Sequence, residues 1–245
     1  EFSRGKSELI NAIFFGDYGN RILPSTAGRT TMCPTELLFE AGKPPAIELL
    51  PIETRSTNAS VAEFKRFPEE WRVVELDTAS AEAMHAALSR VGEQKLVSQE
   101  LAAKLGFAID AEGKAGLKPD AGGLVEIPCW RHAVINFPHP LLEQGLVILD
   151  TPGLNAIGAE PELTLSQLPN AHAILFILAA DTGVTQSDLA VWRDHVNGAR
   201  TRQKGRIAVL NKIDGLWDGI RREAEIEAEI SRQVKSTAGT LQLDA

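Results

Sequence analysis

The 245 residues suffice for one large domain or two modest ones, and 44% apolar beside 24% charged residues is a balance able to bury a core. The formal net charge of −8 argues against a general nucleic-acid surface and against an anionic-lipid surface on this chain. Cys33 and Cys129 show no CxxC spacing, and His85, His132, His139, His172 and His195 show no ligand spacing, so neither a disulfide framework nor a zinc site is indicated and a reducing, cytoplasmic setting is expected. No run approaches the about 18 apolar residues of a membrane span, and no signal peptide opens the sequence.

In chain order, residues 7–15 are apolar on one face and predict a helix, and residues 16–36, rich in Gly, Pro, Ser and Thr, predict a long loop. Ala46–Ile52 reads as a strand closed by Pro51. The middle section, 53–125, lacks strong strand signals; Ser80–Val91 and Ser98–Leu105 have helical spacing, Gly106 suits a C-terminal cap, and 111–123 read as a loop. From residue 124 short continuous apolar runs appear at Leu124–Ile127, Leu146–Leu149, Ile174–Leu178 and Ile207–Leu210, the pattern of strands buried on both faces. Helical patterns at 160–169, 185–197 and 217–236 lie between or after them. The alternation predicts an α/β fold with a mostly parallel central sheet flanked by helices.

Three motifs carry chemistry. Gly5-Lys6-Ser7 is the back half of GxxxxGK[ST], a phosphate-binding loop opening a helix. Backbone N–H groups and the helix N-terminus suit the β-phosphate, Lys6 the β- and γ-phosphates, and the Ser7 hydroxyl Mg²⁺. The chain opens inside this loop, so a preceding strand and the loop's first glycine are expected before residue 1. Asp150-Thr151-Pro152-Gly153 follows an apolar strand: Asp150 can hold Mg²⁺ through water, and Gly153 lets its N–H approach the γ-phosphate. The alternative is an ordinary turn. Asn211-Lys212-Ile213-Asp214 follows another strand. A buried Asp214 carboxylate would accept from guanine's ring N–H and amine, which adenine cannot match; Asn211 would tie this loop to the phosphate loop, and the Lys212 stem would cover the base. Their order, with the last two at carboxyl ends of apolar strands, predicts a P-loop NTPase G domain that binds GTP and GDP with Mg²⁺.

The segment from Leu23 to Glu36 (LPSTAGRTTMCPTE), with the approach Ile127-Pro128 to Asn155, resembles the switch regions of dynamin-like GTPases, including bacterial dynamin-like proteins. The likeness is clearest in 1–37 and 124–215 and faint in 53–123. It implies a switch threonine, Thr31 with Thr30 as alternative, that contacts Mg²⁺ and orients the attacking water. The long interval between Thr31 and Asp150 fits dynamin-type insertions between the two switches, with 53–123 as a helix-containing insertion. Ser3 matches the family's loop serine, which in dynamin helps hold a monovalent cation. The catalytic set implied is thus Thr31, Ser3 and Lys6, with Arg4 among the nucleotide-binding loop residues.

Two departures stand out. Dynamin has a glutamine where this chain has Phe2, and Leu154 occupies the place of a Ras-type water-orienting glutamine. Arg4 is either a displaced arginine finger, one position from that of guanylate-binding proteins and atlastins, or a solvated or dimer-facing arginine. The resemblance implies GTP hydrolysis stimulated by homodimerisation through the nucleotide face. It also implies membrane remodelling by a helical bundle beyond this chain, and hence a peripheral membrane location. A soluble regulator linked to replication or ribosome assembly, and a catalytically inert GTP-binding scaffold, are the competing expectations. The fifth GTPase motif is not visible after Asp214 and is expected past residue 245, making 1–245 a single, incomplete G domain.

Overall fold

The computed structural model describes residues 4–23, 33–107, 117–150, 171–197 and 205–243. These divide into two compact units, one built from 7–150 and the other from 4–6 with 171–243.

The larger unit centres on a five-stranded sheet. Its strands are β1 (Thr35–Leu38), β2 (Ala46–Pro51), β3 (Arg72–Glu75), β6 (Trp130–Asn136) and β7 (Ile148–Asp150), in the order β3-β2-β6-β1-β7. The other two strands of this unit, β4 (Gln94–Ser98) and β5 (Leu124–Pro128), pair antiparallel as a separate two-stranded sheet. Every residue of β6 is buried, because β2 and β1 flank it and side chains pack on both faces. The apolar core gathers Ile47 and Leu49 of β2, Leu37 of β1, Ala133 and Ile135 of β6, and Met84 and Leu88 of α3 (Ala81–Ser89). Helix α1 (Lys6–Phe14) adds Ile10 and Phe14 to it. A satellite core under the β4–β5 pair joins Val97, Val125 and Ile127 to Ala102 of α4 (Gln99–Lys104). Local signals start the helices: Ser80 accepts from the Ala83 N–H, Ser98 from the Leu101 N–H, and Ser60 forms a capping box with Glu63 at α2 (Val61–Phe64). Gly106 follows α4 with φ +82°, the left-handed conformation that ends helices readily at glycine. A last short helix, α5 (Pro140–Glu143), precedes β7.

The smaller unit pairs β8 (Ala173–Ala179) and β9 (Gly205–Asn211) in parallel, Ala173 opposite Gly205 and Ala179 opposite Asn211. Helix α6 (Gln186–Val191) opens with a Thr185–Asp188 capping box and runs on into a π-helical turn, Trp192–Asn197. Trp192 is 2% exposed, donates its indole N–H to the Leu241 carbonyl of α7 (Glu223–Leu241) at 3.0 Å, and packs with Leu178.

The expectation of a mostly parallel sheet needs correction. In the five-stranded sheet only β1–β6 is parallel; β1–β7, β2–β3 and β2–β6 run antiparallel. A continuous apolar run reports burial on two faces, not strand direction, which the connections decide. The middle section also holds β3 and β4, two strands without strong apolar runs. The former exposes three of its four residues and takes its order from pairing with β2. The strand predicted at Leu146–Leu149 begins two residues later, at Ile148, with Leu146 and Val147 exposed. The helix expected at 160–169 lies outside the described residues.

Candidate functional site

In the smaller unit Arg4 and Gly5, of the phosphate-type loop, meet the end of β9 and the segment that follows β8. Asn211, the last residue of β9, donates its amide to the Arg4 carbonyl at 3.0 Å. Gly5 sits beside it with φ +83°, and a Cβ there would lie 2.4 Å from the Asn211 amide nitrogen. Glycine is required twice over, by the left-handed backbone and by the close approach. The Arg4 side chain is 6% exposed: Nη2 donates to Asp188 Oδ2 at 2.7 Å and Nη1 to the Gly183 carbonyl at 3.1 Å. This corrects the reading of Arg4 as a solvated or dimer-facing residue. Asp188 was not singled out by the sequence reading; the only local signal was its place three residues after Thr185, in a helix cap.

Beyond Asn211 the chain turns sharply. Lys212 has φ +58°, and Ile213–Leu216 form a 3₁₀ turn that carries Asp214. Lys212 Nζ lies 3.6 Å from Asp181 Oδ2, and the Asp181 carboxyl is held below its usual range chiefly by the Thr182 hydroxyl, with Lys212 adding to the effect. Asp214 is exposed, where the sequence reading expected a buried carboxylate. The short turn leaves it at the surface, so the chain alone does not desolvate it.

In the larger unit Ser7, in the first turn of α1, donates its hydroxyl to Asp150 Oδ2 at 3.3 Å. Asp150 is the last residue of β7, paired opposite Thr35 of β1, and 8% exposed. Two hard oxygen groups side by side, one a buried carboxylate, are a donor set that fits Mg²⁺. Among the described residues no cluster of three or more His, Cys, Asp or Glu forms another metal centre, and no helix is long and apolar enough to cross a membrane.

The same unit contains a residue the sequence reading missed. Asn11 is 7% exposed; its amide donates to the Leu23 carbonyl at 3.0 Å, and its oxygen accepts from the N–H of Ile22 at 3.1 Å and of Leu23 at 2.8 Å. It clamps the chain at Ile22 and Leu23, where the segment resembling a first switch begins. One polar residue on an otherwise apolar helix face was the only available signal. Glu36, the last residue of that segment, is also enclosed. His132 Nε2–H donates to it at 2.9 Å and Lys65 to both carboxylate oxygens at 2.7 Å. Ser3, Thr30, Thr31, Gly153 and Leu154, with Phe2, lie outside the described residues.

A family model described as the dynamin family matches residues 1–213. A curated relative described as a bacterial dynamin-like protein, from Nostoc punctiforme, is 30% identical over 110 residues, which is 45% of this chain and 15% of that protein. A solved structure described as an oligomerised bacterial dynamin pair, with a mechanism for long-range sensing and tethering of membranes, aligns with TM-score 0.49 at 18% identity. That alignment spans 96% of this chain and 29% of the other. The matched segments thus make up less than a third of either protein, 15% of the one and 29% of the other.

Proposed function

The chain belongs to the dynamin family through its GTPase domain, and on that premise we propose that it binds GTP and hydrolyses it to GDP and phosphate. The reading takes residues 1–245 as a G domain with an insertion over 53–123, and assigns the activity to a longer protein. The observation that supports it most is the 3.0 Å hydrogen bond from Asn211 to the Arg4 carbonyl, which joins the guanine-type motif to the phosphate-type loop beside a glycine that accepts no side chain.

In this reading the Gly5 backbone and Lys6 hold the β- and γ-phosphates, and Asp214 reads the guanine edge with Lys212 against the base. Ser7 and Asp150 would hold Mg²⁺, joined by Thr31; the ion would supply charge neutralisation at the phosphates. The Gly153 N–H would contact the γ-phosphate, and Thr31, Ser3 and Lys6 would order the water and the developing charge, with a monovalent cation at Ser3 as an additional charge. Leu154 and Phe2 offer no water-orienting group, so one chain is short of polar partners for the transition state. A homodimer through the nucleotide face completes it, in the cytoplasm or peripherally at a membrane that the rest of the protein remodels.

The test uses the full-length protein. GTP and GDP are expected to bind far more tightly than ATP, and turnover per chain to rise with protein concentration. Thr31→Ala should keep GTP binding within about 1 kcal/mol while hydrolysis falls by about two orders of magnitude. Equal affinity for ATP and GTP would refute the assignment. If Thr30→Ala showed the Thr31 pattern instead, the catalytic threonine would move by one position.

A further inference from the structure

The Arg4 side chain is enclosed, and what encloses it is organised. One oxygen, Asp188 Oδ2, receives three donors: Arg4 Nη2 at 2.7 Å, the Thr185 N–H at 2.9 Å and the Thr185 hydroxyl at 2.8 Å. The Arg4 Nη1 group reaches the Gly183 carbonyl at 3.1 Å. Gly183 is itself tied to the end of β8 by its N–H to the Ala179 carbonyl at 2.8 Å. The backbone carbonyl of Arg4 receives the Asn211 amide from the end of β9, and the Asn211 carbonyl receives the Ala180 N–H at 2.8 Å. Arg4 is thus gripped twice, by its side chain from the loop after β8 and by its carbonyl from β9.

We propose that the Arg4–Asp188 ion pair is an internal strut that sets the conformation of the phosphate loop, and that Asp188 is a positioning residue for nucleotide binding. The inference rests on the GTPase reading above and deepens it. A phosphate loop works only if successive N–H groups converge on the ligand, so its carbonyls need fixed partners of their own. Asn211 supplies one such partner at Arg4. The guanidinium keeps that residue from swinging away, because its planar fork spans a carboxylate and a carbonyl at once. Gly5, next in the chain at φ +83°, then takes the conformation that presents the loop.

An arginine finger makes the opposite demand. Its guanidinium must leave its resting partners and meet charge that develops only in the transition state. Withdrawing Arg4 would leave the Asp188 carboxylate, 14% exposed, without this counter-charge and with the Thr185 donors. The two roles therefore differ in which nucleotide state they affect. A strut serves GDP and GTP alike, whereas a finger serves only GTP turnover.

The experiment measures binding of fluorescent mant-GDP and mant-GTP, and steady-state hydrolysis, in the full-length protein. Asp188→Asn keeps a side-chain oxygen for the Thr185 cap but loses the charge. It should weaken GDP and GTP binding by the same factor, roughly tenfold, with the loss in KM rather than kcat. Arg4→Ala should do the same, and the double variant should be no worse than the weaker single one, because the two residues act as a unit. If Arg4→Ala does not fold, Arg4→Lys keeps the charge without the fork and should show a smaller but equal loss for both nucleotides. Unchanged GDP affinity together with a collapsed kcat in either Arg4 variant would make Arg4 a finger and overturn the proposal. So would Thr185→Ala matching Asp188→Asn, which would reduce Asp188 to a helix-capping residue. Failure of the wild-type protein to bind either nucleotide would instead overturn the GTPase reading itself.

Discussion

Strands β6 and β9 are alike on paper and unlike in place. Trp130-Arg-His-Ala-Val-Ile-Asn136 and Gly205-Arg-Ile-Ala-Val-Leu-Asn211 share length, an arginine at the second position, an Ala-Val pair and a terminal asparagine. All seven residues of β6 are buried, while β9 buries none of its residues fully. The reason is the number of neighbours. Two strands flank β6, whereas β9 pairs with β8 alone among the described residues. The terminal asparagines diverge accordingly. Asn136 serves its own unit's framework: its amide donates to the carbonyls of Lys43 at 3.2 Å and Pro44 at 3.0 Å, and its oxygen accepts the Glu40 N–H at 2.7 Å. Asn211 spends its amide on the phosphate-type loop. The same residue at the same point of the same pattern is structural in one strand and a candidate site residue in the other.

The comparison breaks if the two asparagines behave alike under truncation. Asn136→Ala would remove all three hydrogen bonds that this buried side chain makes to the exposed turn at Glu40, Lys43 and Pro44, and at about 1 kcal/mol each is expected to cost about 3 kcal/mol, read as a lower urea midpoint with unchanged slope. Below its unfolding transition the variant should bind nucleotide as wild type does. A loss of affinity without a loss of stability would reverse the roles assigned here.

A somewhat smaller effect tests how β6 keeps polar side chains buried. His132 is 3% exposed and meets Glu36, which Lys65 also engages. Burial pushes the Glu36 carboxyl up, but the hydrogen bonds from His132 and Lys65 and their charges outweigh it and bring the pKa to about 2 from an ordinary 4.5. A carboxyl lowered on folding stabilises fully above the unfolded pKa and loses that contribution as pH falls through the folded one. Glu36→Gln should therefore cost about 2 kcal/mol at pH 7, and the gap from wild type should close between pH 4.5 and pH 2. Urea unfolding at several pH values reads this directly; a gap independent of pH would mean that packing, not charge, holds the cluster.

The smallest effect on stability belongs to Asn211. Its amide makes one hydrogen bond in a strand without fully buried residues, so Asn211→Ala should cost about 1 kcal/mol or less. Nucleotide affinity is expected to fall roughly tenfold in the same variant, because the loop carbonyl loses its partner. A stability loss as large as that of Asn136→Ala would erase the distinction between the two strands.

Much of the local structure was legible in the sequence because its causes are local. Ser80 and Ser98 announce helices by capping them, and the apolar spacing of 7–15 marks α1. The runs at 46–52, 174–178 and 207–210 coincide with β2, β8 and β9 to within one or two residues. Gly5-Lys6-Ser7 and Asn211-Lys212-Ile213-Asp214 stand out as candidate motifs because each is a run of consecutive residues. Other features depend on partners far along the chain, which no local pattern encodes. Whether β6 runs antiparallel to β2 or parallel to β1 is decided by where the connections return the chain. That Asn11 holds the N–H groups of Ile22 and Leu23 depends on a loop folding back over the helix. The inward turn of Arg4 onto Asp188 joins a phosphate-type loop to a helix cap 184 residues away. Residue types and periodicity determined which groups this chain would bury or offer. Tertiary structure decided their partners, because an ion pair or a buried amide takes its meaning from the group a few ångströms away rather than from its neighbours in sequence.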